Sequence, residues 1–191
     1  MPQARALRAD AVRNRKKILN AAREQITLHG PDVSTDEIAA AAGVAVGTLY
    51  RHFPTKTDLV AAVIGEYTNH VADDVEAARQ RAAEGSRALD EITGFLTRVV
   101  EATATNHAVK AAARTLGAHP ADTDAEARAG TALADLIRVG QRDGDIHSDV
   151  TVDDIYLLIS TAPTDQPSAA RTRWLTLVLT GLTTHSRITC A

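Results

Sequence analysis

The sequence is poor in aromatic residues, cysteine and proline, and each shortage removes a class of protein. Its 191 residues include one Trp, two Phe, three Tyr, six Pro and one Cys. Cys190, the penultimate residue, excludes an internal disulfide framework. No run of about eighteen apolar residues occurs, so no membrane-spanning helix is expected. The opening MPQARALRADAVRNRKK lacks the apolar core of a secretory signal. Its basic character also suits a transit peptide, but it merges directly into a patterned helix, and a cytoplasmic protein is the expectation. The histidines (His29, His52, His70, His107, His119, His147, His185) lack metal-ligand spacing, and no Gly-rich phosphate loop follows a strand. Cys190 beside the terminus is a poor nucleophile. No catalytic residue, metal or cofactor is therefore expected, and the chain does not read as an enzyme.

What remains is apolar, rich in Ala, and patterned at helical spacing. At 45% hydrophobic the chain has enough apolar surface for a real core. Ile18, Leu19, Ala22 and Ile26 form a stripe on a helix from about Ala11 to His29, which Gly30-Pro31 stops. Ser34 with Glu37 is a capping box that starts a short helix at Thr35. Gly43 ends it, a third helix fits Val46 to His52, and Pro54 closes that one. Thr55 with Asp58 opens a long fourth helix to about Ala83. Four more follow: Arg87 to Thr105, one ending at Leu116, Asp124 to Gln141, and one capped by Thr151 with Asp154 that ends at Ala162. The last spans Ser168 to Arg187. No useful strand-like alternation, repeat or low-complexity tract occurs. The fold class expected is all-α, about nine helices.

Charge divides the chain. Residues 1–60 carry nine Lys and Arg against six acids, a net +3, whereas residues 61–191 carry twelve against eighteen, a net −6. A basic head on an acidic body suggests a nucleic-acid partner, although a solvated basic helix has the same signature. Two of the six aromatics, Tyr50 and Phe53, flank His52 in AAAGVAVGTLYRHFPTK. Two short helices joined by a Gly-containing turn form a helix-turn-helix, motif 34–53. Small residues at the start of its second helix, Ala45, Val46 and Gly47, allow close approach to a major groove. Thr48, Tyr50, Arg51 and His52 then supply polar groups within one turn. Phe53, four residues after Leu49, is expected to anchor a small core with Leu49, Ile38 and Ile26.

The segment STDEIAAAAGVAVGTLYRHFPTKTDLVAAVI resembles the DNA-binding domain of the tetracycline-repressor-like (TetR/AcrR) family of bacterial regulators. The matching positions are Ile38-Ala39, Ala42-Gly43-Val44, Gly47-Thr48-Leu49-Tyr50, His52-Phe53, Lys56 and Leu59. The resemblance implies contacts from Tyr50 and His52 to the DNA backbone or to a thymine methyl beside it, and backbone contacts from Lys56 and Thr35, with the helix N-terminus assisting Thr35. Arg51 and Thr48 are the base-reading candidates, Arg51 toward a guanine edge. One position departs: Ala45 stands where the family commonly has Ser or Thr, and loss of that cap costs about 1 kcal/mol.

The resemblance also implies two domains: an N-terminal arm and helix-turn-helix head over 1–55, and a ligand-binding and dimerisation domain over 56–191. The last helix is apolar on nearly every side, which calls for burial on two faces. With the helix 152–162 it reads as half of an intersubunit four-helix bundle, using Ile155, Leu158, Ile159, Leu175, Val178, Leu179 and Leu182. The candidate effector lining is Tyr67, Phe95, Val99, Thr103, His107, Leu133, Ile137 and Trp174, mostly aliphatic and suited to a small apolar effector. The function expected is a homodimeric, sequence-specific transcriptional regulator, a repressor released from a palindromic operator on double-stranded DNA. The alternative is an architectural or ligand-independent helical DNA-binding protein.

Overall fold

The computed structural model describes residues 2–119 and 124–184, with side chains from residue 9 onward. Among them are nine α-helices: α1 (Pro2–His29), α2 (Thr35–Ala42), α3 (Val46–His52), α4 (Lys56–Ala83), α5 (Ala88–Thr105), α6 (His107–Leu116), α7 (Asp124–Arg142), α8 (Val152–Thr161) and α9 (Ser168–Leu179). The one β feature among them is an isolated bridge between Ile146 and Thr183. The all-α expectation holds. None of the described helices is long and apolar enough to cross a membrane.

Two compact units divide the chain, Met1–Tyr67 with Thr105–Asp122, and Thr68–Ala104 with Thr123–Ala191. In the first, the α1 stripe of Ile18, Leu19, Ala22 and Ile26 packs with Ile38 of α2, Leu49 of α3 and Phe53. Leu59, Val60 and Val63 of α4, and Val109 and Ala112 of α6, complete that core. The expected anchor is in place: Ile26, Ile38 and Leu49 are fully buried and Phe53 is 3% exposed. α6 belongs to this unit although it follows α5 in sequence. In the second unit Ile92, Phe95, Leu96 and Val99 of α5 pack with Leu133, Leu136 and Ile137 of α7, Ile155 of α8 and Leu175 of α9.

Local chemistry sets the element ends. Ser34 accepts the Glu37 amide, and the Glu37 carboxylate accepts from the Ser34 amide at 2.8 Å, completing the capping box. Thr151 and Asp154 repeat that device at α8. Gly43 takes φ 65°, a left-handed turn open to glycine at little strain, and the Val44 amide then donates back to Ala39 at 3.0 Å.

Two boundaries differ from the sequence reading. α1 begins at Pro2 rather than near Ala11, because Ala, Gln, Arg and Leu are good helix formers and extend a helix with no apolar stripe. α9 ends at Leu179, short of Arg187, which lies outside the described residues. There the chain is drawn to the 144–147 turn: the His147 amide donates to Leu182, and the Thr184 amide donates to Asp145. These bonds replace the helical ones.

Candidate nucleic-acid interface

The site is built on α2, α3 and the first turn of α4. Ala45, the N-cap of α3, has extended backbone (φ −66°, ψ 143°) and makes no side-chain capping bond. The first amides of α3 therefore lack the side-chain acceptor that Ser or Thr would supply. Leu49 faces the core, which turns Ala45, Val46, Gly47, Tyr50 and Arg51 to the surface. Thr48 and His52 are half-buried at its edges. Val46 and Tyr50, one turn apart, are 36% and 45% exposed, an apolar and aromatic step on an otherwise polar surface. Tyr50 is thus outside the core.

Three contacts hold this surface in register. The hydroxyls of Thr35 and Tyr50 are 2.9 Å apart and join the start of α2 to α3. The Lys56 ammonium donates to the Pro31 carbonyl and ties α4 to the α1–α2 turn. It retains further N–H donors, because an ammonium has three. The Arg15 guanidinium lies 5.3 Å from the centre of the Phe53 ring, so α1 is fixed against the residue that closes α3. Neither Thr35–Tyr50 nor Arg15–Phe53 has a short-range signature, and the sequence reading missed both pairings. Glu37 is held below the usual carboxylate range, chiefly by the Ser34 amide and hydroxyl, then by His29 and Lys56.

Several cations of this unit have no carboxylate partner. Arg15, Lys16, Lys17, Arg51 and Lys56 form no ion pair with any described residue. Among the described residues of this unit the paired cations are Arg13, with Asp10, and Arg23, with Glu66 at 2.8 Å.

The other candidates fall as follows. Phe95, Val99, Thr103, Leu133 and Ile137 are buried in the second unit, with Trp174 packed against them. Tyr67 is half-buried and His107 exposed, both in the first unit. Lys110, which the sequence reading passed over, places its ammonium 4.9 Å from the centre of the Tyr67 ring. Burial, and then Arg114, lowers its pKa. Of the interface candidates, Ile155, Leu175 and Leu182 are buried within the single chain, and Leu158, Ile159, Val178 and Leu179 are half-buried. The exposed apolar residues are instead Tyr156 (42%) and Leu157 (60%) on α8 and Leu177 (56%) on α9. Helical periodicity identified the apolar stripe, and the exposed residues lie one or two positions off it. No cluster of His, Cys, Asp and Glu suited to a metal occurs among the described residues.

Comparison with known proteins places this arrangement. Residues 18–63 match the bacterial regulatory proteins of the tetR family, and residues 87–184 match the C-terminal domain of SbtR-like transcriptional regulators. A TetR transcription regulatory protein from Mycobacterium vanbaalenii is 32% identical over 93% of this chain and 99% of its own, with a TM-score of 0.71. A TetR transcriptional regulator from Streptomyces coelicolor is 26% identical over 90% of this chain and 99% of its own, also with a TM-score of 0.71. The transcriptional repressor LfrR of Mycolicibacterium smegmatis is 40% identical over 89 residues, which span 47% of this chain but only 43% of that repressor. With matches over both the helix-turn-helix and more than half of the chain beyond it, the chain belongs to the tetR family of bacterial regulatory proteins.

Proposed function

We propose that this protein is a cytoplasmic, non-enzymatic, sequence-specific DNA-binding regulator, a repressor released from a palindromic operator by a small apolar effector. The observation that carries the reading is the exposed face of α3, Val46, Gly47, Tyr50 and Arg51, in a unit that also carries cations without carboxylate partners. Such cations release counterions when they meet phosphates. Thr35, Tyr50, His52 and Lys56 position the backbone, Arg51 and Thr48 read base edges, and Ala45, Val46 and Gly47 permit the approach. The head comprises residues 1–55 and the effector and dimer domain 56–191.

Dimerisation uses the exposed sides of α8 and α9, with Tyr156, Leu157 and Leu177 added to the half-buried Leu158, Ile159, Val178 and Leu179. A two-fold dimer sets its recognition helices about 34–36 Å apart, hence the palindrome. The effector enters the second unit among Phe95, Val99, Thr103, Leu133, Ile137 and Trp174 by displacing packed side chains.

One observation favours a second reading. Ala45, Val46 and Gly47 offer no hydrogen-bonding side chain, which suits a DNA-binding protein indifferent to sequence. Titration on the DNA upstream of its own gene, with random DNA as control, separates the two. Saturable binding with two protomers per site, tighter than to random DNA and weakened by Tyr50→Ala, is the expected outcome. Equal affinity for both DNAs would replace the repressor with the sequence-indifferent protein.

A further inference from the structure

We propose that the groove between the ends of α4 and α7 binds a small amphiphilic phosphate, an apolar body carrying one doubly charged phosphate group. The groove lies wholly in the second unit and has a volume of about 840 Å³, within the span of small-molecule sites. Arg79 of α4 and Arg138 and Arg142 of α7 rim it, and Asp135 is the one carboxylate among its lining residues. The apolar surface open to a ligand comes from the half-buried Ala82 and Val139, with the fully buried Leu136 beneath them.

The carboxylates along this face sit mostly against other arginines, although the Glu76 carboxylate also feels Arg79. Asp135 accepts from Arg138 at 2.6 Å. Along the same face, Arg128 binds Asp73 at 2.6 Å and Glu76 at 3.0 Å. Arg79 and Arg142 have no ion pair or hydrogen bond with any described residue. A cation in the last turn of a helix is favourable in itself, which explains Arg142. It does not explain Arg79, which stands more than one turn before the end of α4. Among the lining residues three guanidinium groups face one carboxylate, with Glu76 and Asp143 just outside the groove, which leaves the lining itself with the positive excess that a phosphate monoester near neutral pH requires. Guanidinium forks bind phosphate oxygens in pairs, and the apolar surface accepts an alkyl or aryl body. One wall is fixed, because the Gln141 amide donates at 3.0 Å to both the His147 and the Val150 carbonyls.

Isothermal titration of the full chain in phosphate-free buffer tests this without DNA, so its outcome is independent of the operator. Octyl phosphate is the probe, with octanoate, octanol and inorganic phosphate as comparisons. Octyl phosphate should bind most tightly, octanoate and inorganic phosphate more weakly, and octanol not at all. Arg79→Gln with Arg142→Gln should weaken octyl phosphate by about tenfold or more, since two charge-assisted contacts are lost. Asp135→Asn, which removes the competing carboxylate, should tighten it about threefold, a gain that misfolding cannot produce. The site is refuted if octyl phosphate does not bind, if octanol binds equally well, if the double variant folds and keeps full affinity, or if Asp135→Asn fails to tighten binding.

Discussion

The two units treat positive charge in opposite ways. In the second, most arginines are tied to carboxylates: Arg81 to Glu91, Arg87 to Asp145, Arg98 to Asp74, Arg128 to Asp73 and Glu76, and Arg171 to Glu101. Several of these pairs join different helices and act as braces across the bundle. In the first unit Arg15, Lys16, Lys17, Arg51 and Lys56 are without such partners. Exposed ion pairs add little stability each, so a unit with a well-packed core can forgo them. A unit that forgoes them keeps a field for a polyanion. The net charges of the two halves, +3 and −6, already hinted at this. Pairing makes the division of labour sharper than net charge does.

The largest effect expected from a single change is at Arg51. Arg51→Ala should cost about 1–3 kcal/mol of operator affinity, if the residue reads a base, with no change in melting temperature. Fluorescence anisotropy on specific and random DNA, beside a thermal melt, checks both halves. An equal loss on both DNAs would make Arg51 a phosphate contact only. Ala45→Ser should stabilise the head by about 1 kcal/mol by capping α3, read from chemical denaturation.

Salt dependence sharpens the contrast further. Lys16→Gln and Lys17→Gln should each lower the slope of log K against log salt by up to about 0.9 while leaving the fold intact. Arg98→Gln, in a braced pair with Asp74 at 2.9 Å, should do the reverse, lowering the melting temperature and leaving the slope unchanged. If both units responded alike, the contrast would fail.

The smallest effect is in acid. Arg128, Arg81 and Arg171 hold Glu76, Glu91 and Glu101 below the usual carboxylate range, mainly by hydrogen bonding. A lowered folded pKa adds stability above the unfolded value of about 4.3, lost as pH falls through the lower folded values. Melts between pH 6 and pH 3 should therefore decline below about pH 4.5. Arg128→Gln should flatten that decline.

Much of the fold could be read in advance, for identifiable reasons. Ser34 with Glu37, Thr151 with Asp154 and Gly43 act over three or four residues, so local chemistry placed the starts of α2 and α8 and the turn before α3. The end of α9 could not be read this way, because it depends on hydrogen bonds to a turn more than thirty residues earlier. The candidate interface divides along the same line. Tyr50 and Arg51 follow from a short motif, whereas the Thr35–Tyr50 and Arg15–Phe53 pairings arise only when separate helices pack. At α8 and α9 periodicity identified the apolar stripe, yet a stripe cannot distinguish a face buried within the chain from one left open. Tyr156, Leu157 and Leu177 emerge only from the packing.

The most direct test of the unpaired cations as a DNA-facing field is operator affinity at several salt concentrations, for the full chain and for Arg51→Ala, on specific and random DNA. A steep salt slope on both DNAs, with a specific preference that Arg51→Ala erases, is the expected result. Binding that is indifferent to salt, or a preference that survives Arg51→Ala undiminished, would contradict it.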